Sequence, residues 1–284
     1  MNILKYHDRI YLTISYHKGD YMTNKPKSFE DFFYSKTQNI CTVEEISDYA
    51  NKHNGNYEPY DGFMFCPECQ KAELFFVQKT SKRRAHLKRK PSTQHPDNCS
   101  YKYEYAPKQH IKQYVDSLTP KQVQDRLNSI LNILCKNKKK EETAFKQEKT
   151  STQPKEHPML IPDTTRKKHL LKSLRRKRLA GWIDESDGTD LHVFYGKVKL
   201  KVEEREKINS KGEKYYYYNL IIKTMNQKGE WKFRTKIYRG KIQDNINENK
   251  VYQIAVIGNL NFDWKWMQID LINKYALQFQ EIDY

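Results

Sequence analysis

Along the last third of the chain, apolar and polar positions alternate with a period of two. Val198, Leu200 and Val202 interleave with Lys197, Lys199 and Lys201, the pattern of a strand with one face buried and one in water. Ser210-Lys211-Gly212 and Asn226-Gln227-Lys228-Gly229 read as turns. They divide a strand beginning near His192 from a second at Tyr215–Lys223 and a third at Trp231–Ile237. A polar segment from Gly240 to Lys250 has room for one helical turn. Val251–Leu260 and Trp264–Leu271 then supply two further strands. Upstream, the period becomes helical. Ile111, Val115 and Leu118, then Val123, Leu127, Ile130, Leu131 and Leu134, form stripes on two helices between Pro107 and about Glu148, the second starting at Thr119-Pro120. Such a stripe serves a core or faces a protein partner. Leu170, Leu171 and Leu174 within Arg166–Arg178 share a helical face among cations, which predicts a short basic helix with an exposed rim.

The N-terminal part reads as mixed α and β. Ile10–Ile14 predicts a strand. Thr42 and Glu45 have capping-box spacing at the start of a helix. Asp61-Gly62 turns the chain into a strand at Phe63–Phe65, and Leu74–Val77 is read as its return strand. The expected architecture is therefore α+β: residues 1–106 with a metal module at 63–103, a helical segment at 107–148, a basic linker and helix at 149–181, and a β domain at 182–284. Three strands, an interruption and two more strands resemble an OB-fold, a five-stranded barrel. Gly196 stands where the first strand of such a barrel must bend.

Composition narrows the function. The 284 residues carry a formal charge of +17, which attracts polyanions, nucleic acid foremost. No stretch approaches the roughly 18 apolar residues of a membrane-spanning helix. The first 20 residues lack the apolar run of a signal peptide. Five clustered cysteines suit a reducing cytoplasm.

Three of those cysteines fall in one stretch, and two form Cys66-Pro67-Glu68-Cys69. Two thiolates on one tight turn grip a single ion, and zinc favours four sulfur or imidazole ligands in a tetrahedron. Cys99 is the third ligand and either His86 or His95 the fourth. His95 and Cys99 are four residues apart, so one helical turn places them together. A redox role for the pair would need a surrounding βαβ pattern, which is missing. Cys41 and Cys135 read as ordinary buried thiols. The CPxC turn, apolar strand, basic run to a histidine and following cysteine resemble the N-terminal zinc-finger-like segment of CoiA-type competence proteins. Members show His-Phe-His where this chain has His86-Leu87-Lys88-Arg89. That resemblance favours His86 as fourth ligand and implies DNA-related work in a bacterial cytoplasm.

The β domain carries the expected binding face. With Phe233 and Ile237 inward, Lys232, Arg234 and Lys236 point outward beside Lys197, Lys199 and Lys201. Tyr215 and Tyr217 then lie exposed between two cationic rows, as in proteins that stack single-stranded bases. Arg83, Arg84 and Arg89 beside the metal module add candidate phosphate contacts. Glu230-Trp231-Lys232 has the E-x-K spacing of metal-dependent nucleases, but the neighbouring strand offers no carboxylate. The expectation is a zinc-containing binder of nucleic acid, single-stranded DNA or RNA, rather than an enzyme. It would serve DNA processing, mobile elements or defence. The alternatives are a protein-interaction adaptor built on a zinc knuckle and an OB barrel, or a divergent CoiA-like nuclease-associated protein.

Overall fold

The computed structural model describes residues 27–135, 157–163, 170–263 and 267–283. The strand expected at 10–14 lies outside them. The chain mixes helices and strands around one large sheet.

The first described elements are β1 (Asp31–Tyr34) and β2 (Asn39–Thr42), an antiparallel pair. Helix α1 (Val43–Lys52) starts from Thr42, whose hydroxyl accepts from the Glu45 N–H while the Glu45 carboxylate accepts from the Thr42 N–H. This is the reciprocal cap predicted from the spacing. β3 (Met64–Phe65) pairs with β1, and β4 (Leu74–Val77) pairs with β5 (His86–Arg89). The return strand at Leu74–Val77 therefore forms a hairpin with the basic run, not with Phe63–Phe65. An isolated bridge, Phe65 to Glu73, joins β3 to the residue just before β4. Phe29, Phe32, Ile46, Met64, Leu74, Phe76 and Leu87 close the core of this module.

Helices α2 (Lys108–Asp116) and α3 (Pro120–Leu134) follow, the latter capped by Thr119 and Gln122. They are not a free connector. Val123, Leu127, Ile130 and Leu131 of α3 are buried against Val193, Ala255 and Ile257 of the large sheet. Each such side chain contributes roughly 1.5–3 kcal/mol on burial, enough to make α3 part of the core. Of the two roles expected for the apolar stripe, core or partner, it takes the first, covered by the chain's own strands.

The described part of the predicted basic helix, residues 170–178, is instead extended. β6 (Leu160–Asp163) pairs with β7 (Leu170–Ser173), and β8 (Arg175–Arg178) runs parallel to β9 (Leu191–Ile208). Leu170 and Leu171 are exposed, whereas Lys177 is buried. Partners far away in sequence, described below, decide this against the local leucine pattern.

The remaining strands are β10 (Lys214–Met225), β11 (Trp231–Gly240), β12 (Val251–Asn261), β13 (Gln268–Leu271) and β14 (Leu277–Ile282). Pairings run from β9 through β10, β11, β13 and β12, and β12 pairs again with β9. β8 and β14 extend the sheet beyond that circuit. Besides β8, β9 pairs with β12 over Leu191–Val198 and with β10 over Lys199–Ile208. Gly196, with φ +145°, sits just before the exchange, in a conformation that side chains disfavour. Phe194, Val198, Leu200, Leu220, Ile222, Ile237, Ile254 and Val256 fill the inside. Leu179 joins that core, so the β domain begins before residue 182. The segment expected to hold a helical turn, 240–250, is irregular. A buried pair between Arg239 and Asp244, with contacts of 2.7 and 2.9 Å, fixes it. Among the described residues, no helix is long and apolar enough to cross a membrane.

Candidate metal centre and nucleic-acid interface

Cys66 leaves β3 and enters a tight turn. Its N–H donates to the Ala72 carbonyl at 2.8 Å and its carbonyl accepts from Gln70 at 2.9 Å. Gln70 takes φ +55° to close the loop. Both sulfurs of the pair then face the same space. A second turn, closed by the Cys99 N–H on the Pro96 carbonyl at 3.0 Å, presents His95 and Cys99. The ligand atoms of Cys66, Cys69, His95 and Cys99 all lie within 4.8 Å of one another. The Cys66 and Cys99 sulfurs are 3.8 Å apart, and His95 Nδ1 lies 3.5 Å from Cys69 and 3.4 Å from Cys99. Metal–sulfur and metal–nitrogen bonds of about 2.3 and 2.05 Å give a regular tetrahedron with edges of about 3.8 Å (S–S) and 3.5 Å (S–N). The four residues thus fit a metal ion. His86, on β5, is outside the group, and its Nδ1 faces the Arg84 carbonyl at 2.9 Å.

The thiols cannot all ionise unaided. Burial pushes Cys66 up to about 12, and hydrogen bonding with Cys66 pushes Cys99 higher still. Cys69 is driven down because Cys66 and Cys99 donate to it. A divalent cation at the centre removes that restriction, since coordination stabilises each thiolate. Cys41 and Cys135 lie outside the group, their thiols both pushed up to about 12 by burial.

The turn between the first two ligands does further work. Glu68 is buried with its carboxylate on the Ser100 hydroxyl at 2.7 Å, His157 at 3.2 Å and Arg176 at 3.0 Å. Burial opposes its charge, but the hydrogen bonds from His157 and Ser100 and the Arg176 charge hold its carboxyl well below the usual range. Arg176 also lies over the Tyr101 ring at 4.2 Å. The neighbouring cations are tied down in the same way. Lys177 meets Asp187 at 2.7 Å and also Glu30; Arg178 meets Asp31 at 3.2 Å and also Glu44. Tyr195 of β9 donates to Asp31 at 2.6 Å. β8 is therefore a seam of ion pairs between the metal-bearing module and the sheet. Nothing local in the sequence marks Glu68, because its partner is 108 residues away.

The candidate nucleic-acid residues divide. Lys197, Lys199 and Lys201 lie on the outside of β9, opposite buried Val198 and Leu200. Tyr215 and Tyr217 share that face with Lys223, and Lys236 stands opposite Ile221 on it. Phe233, Lys232 and Arg234 depart from expectation. The β10–β11 ladder steps from Ile222–Thr235 to Lys223–Phe233, so Arg234 is an extra residue in a bulge. The bulge turns Phe233 outward, 43% exposed, and sets Lys232 beside buried Thr224. Arg234 is half-buried and donates to the Gly181 carbonyl. Tyr238, in step with Lys236, lies on the outer face 5.5 Å from Tyr217, and a second register shift at Arg239 follows it. Trp231, opposite Met225, lies 5.8 Å from Lys199. Sequence alternation misses Trp231 and Phe233 because the bulge at Arg234 resets the parity of β11, whereas Tyr238 keeps the parity of Lys236. Near the metal module, Arg83 is exposed. Arg84 is held by Asp184 at 3.1 Å, Asp187 at 3.3 Å and the Trp182 carbonyl. Arg89 donates to loop carbonyls of Lys90, Pro91 and Thr93.

Comparison with family models, with curated proteins and with solved structures finds no match to this chain.

Proposed function

We propose that this chain is a zinc-containing protein that binds single-stranded nucleic acid on the outer face of β9, β10 and β11. The observation that carries the reading is that face: Tyr215, Tyr217, Trp231, Phe233 and Tyr238 lie among Lys197, Lys199, Lys201, Lys223 and Lys236. Aromatic rings stack on bases of any sequence, contributing roughly 1–3 kcal/mol per base, while lysines meet the phosphates. The circuit of pairings supports reading the domain as an OB-like barrel, an architecture whose exposed strands serve oligonucleotides. Zinc is the ion whose bond lengths and ligand preference suit three thiolates and an imidazole, and its role is structural because four protein ligands leave no open position.

Fluorescence anisotropy with single-stranded and duplex oligonucleotides across a salt series tests the reading. Phe233→Ala or Tyr217→Ala weakens single-strand binding, roughly 5- to 150-fold on the stacking energies, with the salt slope unchanged. Lys199→Gln with Lys201→Gln flattens the slope by roughly 0.7 per lost phosphate contact. A folded chain that retards no oligonucleotide at low salt would be an interaction adaptor instead.

A further inference from the structure

Between the metal-bearing module and the sheet lies a cleft of about 1380 Å³, larger than the roughly 300–1,000 Å³ of small-molecule pockets. Its first wall follows from strand alternation. Leu74, Phe76 and Leu87 point into the module core, so Phe75 and Lys88 point the other way, into the cleft. Its second wall is Lys172 of β7, Arg175 of β8 and His192 of β9. Tyr101 and Tyr105 line it between the two, with Lys27 4.3 Å and Arg175 4.6 Å from the Tyr105 ring.

The charges in this cleft do not balance. Its four carboxylates are already paired: Glu30 and Asp187 with Lys177, Glu104 with Lys172, and Asp190 with Arg175. Three cations have no carboxylate. Lys27 donates to the carbonyls of Ser100 and Tyr103, Arg89 donates to loop carbonyls, and Lys88 has no hydrogen-bond or ion-pair partner among the described residues. Burial, and then the Arg176 charge, push Lys27 down to about 7 against a smaller opposing pull that includes Glu68.

We infer that this cleft is a second nucleic-acid site, in which Lys27, Lys88 and Arg89 hold the phosphates of a single-stranded segment. The inference rests on the nucleic-acid reading above but not on the barrel face. A recess between two walls admits a flexible strand and keeps out a flat lipid surface, and its size exceeds one free anion. The outer face of β9–β11 then stacks bases beside its own lysines, and the cleft neutralises a further stretch of backbone.

The test uses the full chain and a single-stranded oligothymidine carrying 5-iododeoxyuridine. Anisotropy is measured against salt for the native chain, Lys88→Glu, Lys27→Gln and Tyr217→Ala, and ultraviolet cross-links are mapped by mass spectrometry. The expected result is weaker binding by Lys88→Glu with a slope flattened by roughly 0.7 or more, and cross-links at Tyr103, Phe75 or His192. Lys88 is on the surface of a hairpin, so Lys88→Glu remains decisive if Lys27→Gln fails to fold. Unchanged affinity and slope in Lys88→Glu, with cross-links confined to β9–β11, overturns the cleft and leaves the barrel face standing. A loss in Lys88→Glu without one in Tyr217→Ala overturns the barrel face and leaves the cleft. No binding by the native chain removes both.

Discussion

At the scale of single residues, the metal centre dominates. A structural zinc site is worth roughly 10–16 kcal/mol to the fold around it, comparable with the roughly 5–15 kcal/mol total stability of a domain. Purified chain is expected to carry about one zinc per molecule. Cys66→Ser or Cys99→Ser should release it and unfold the module built on Phe29, Met64 and Leu87, measured by metal quantification and near-ultraviolet dichroism. His95→Ala should lose zinc to a chelator far sooner than His86→Ala, and full retention in Cys66→Ser would remove the site. The cysteines were legible because their spacing is local chemistry. The local argument also pointed to His95, four residues before Cys99, whereas the family resemblance pointed to His86, which the hairpin of β4 and β5 carries elsewhere. Glu68 was illegible, since a carboxylate inside a ligand turn looks like any solvated one until Arg176 arrives.

At the scale of elements, what was readable is what short-range physics determines. The capping box at Thr42 and Glu45 starts α1 and Thr119-Pro120 starts α3, and strict alternation located strands of the β domain. Arg175–Arg178 was unreadable because four consecutive cations have no hydrophobic period, and their burial depends on carboxylates from β1, α1 and the Cys66–Cys69 turn. The bulges of β11 were equally hidden, so Phe233 was expected inside and stands outside. β14 was not anticipated, although it pairs with β12 along Val251–Val256. One glycine on β12 is a sharper matter. A Cβ at Gly258 would meet the Asp270 carbonyl oxygen at 2.4 Å and Ile269 at 2.9 Å. Because the first is backbone within the β12–β13 ladder, it cannot swing aside. Gly258→Ala should therefore destabilise the sheet by about 1–3 kcal/mol, a fall of roughly 2–12 °C in the melting temperature. An unchanged melting curve would mean that the ladder there is looser than its registry.

At the scale of the whole molecule, packing crosses the boundaries expected from composition. Residues 182–284 would lose β8 and Leu179, and would expose the face of Val193, Ala255 and Ile257 that α3 covers. That fragment is expected to show no cooperative thermal transition, while the full chain melts as one unit by calorimetry. A cooperatively folding fragment of native-like stability would restore the two-part view. Ion pairs such as Arg176–Glu68 need not add net stability, yet removing one partner of a buried pair costs about 3–5 kcal/mol, so the seam fixes how the halves meet. Glu68 belongs at once to the turn that grips the ion and to that seam. Thermodynamic linkage makes such an arrangement reciprocal. Whatever free energy the filled site lends to closing the two halves returns as tighter hold on the ion once they are closed. A strand lodged between the halves would then register, many residues away, as a change in how hard a chelator must pull.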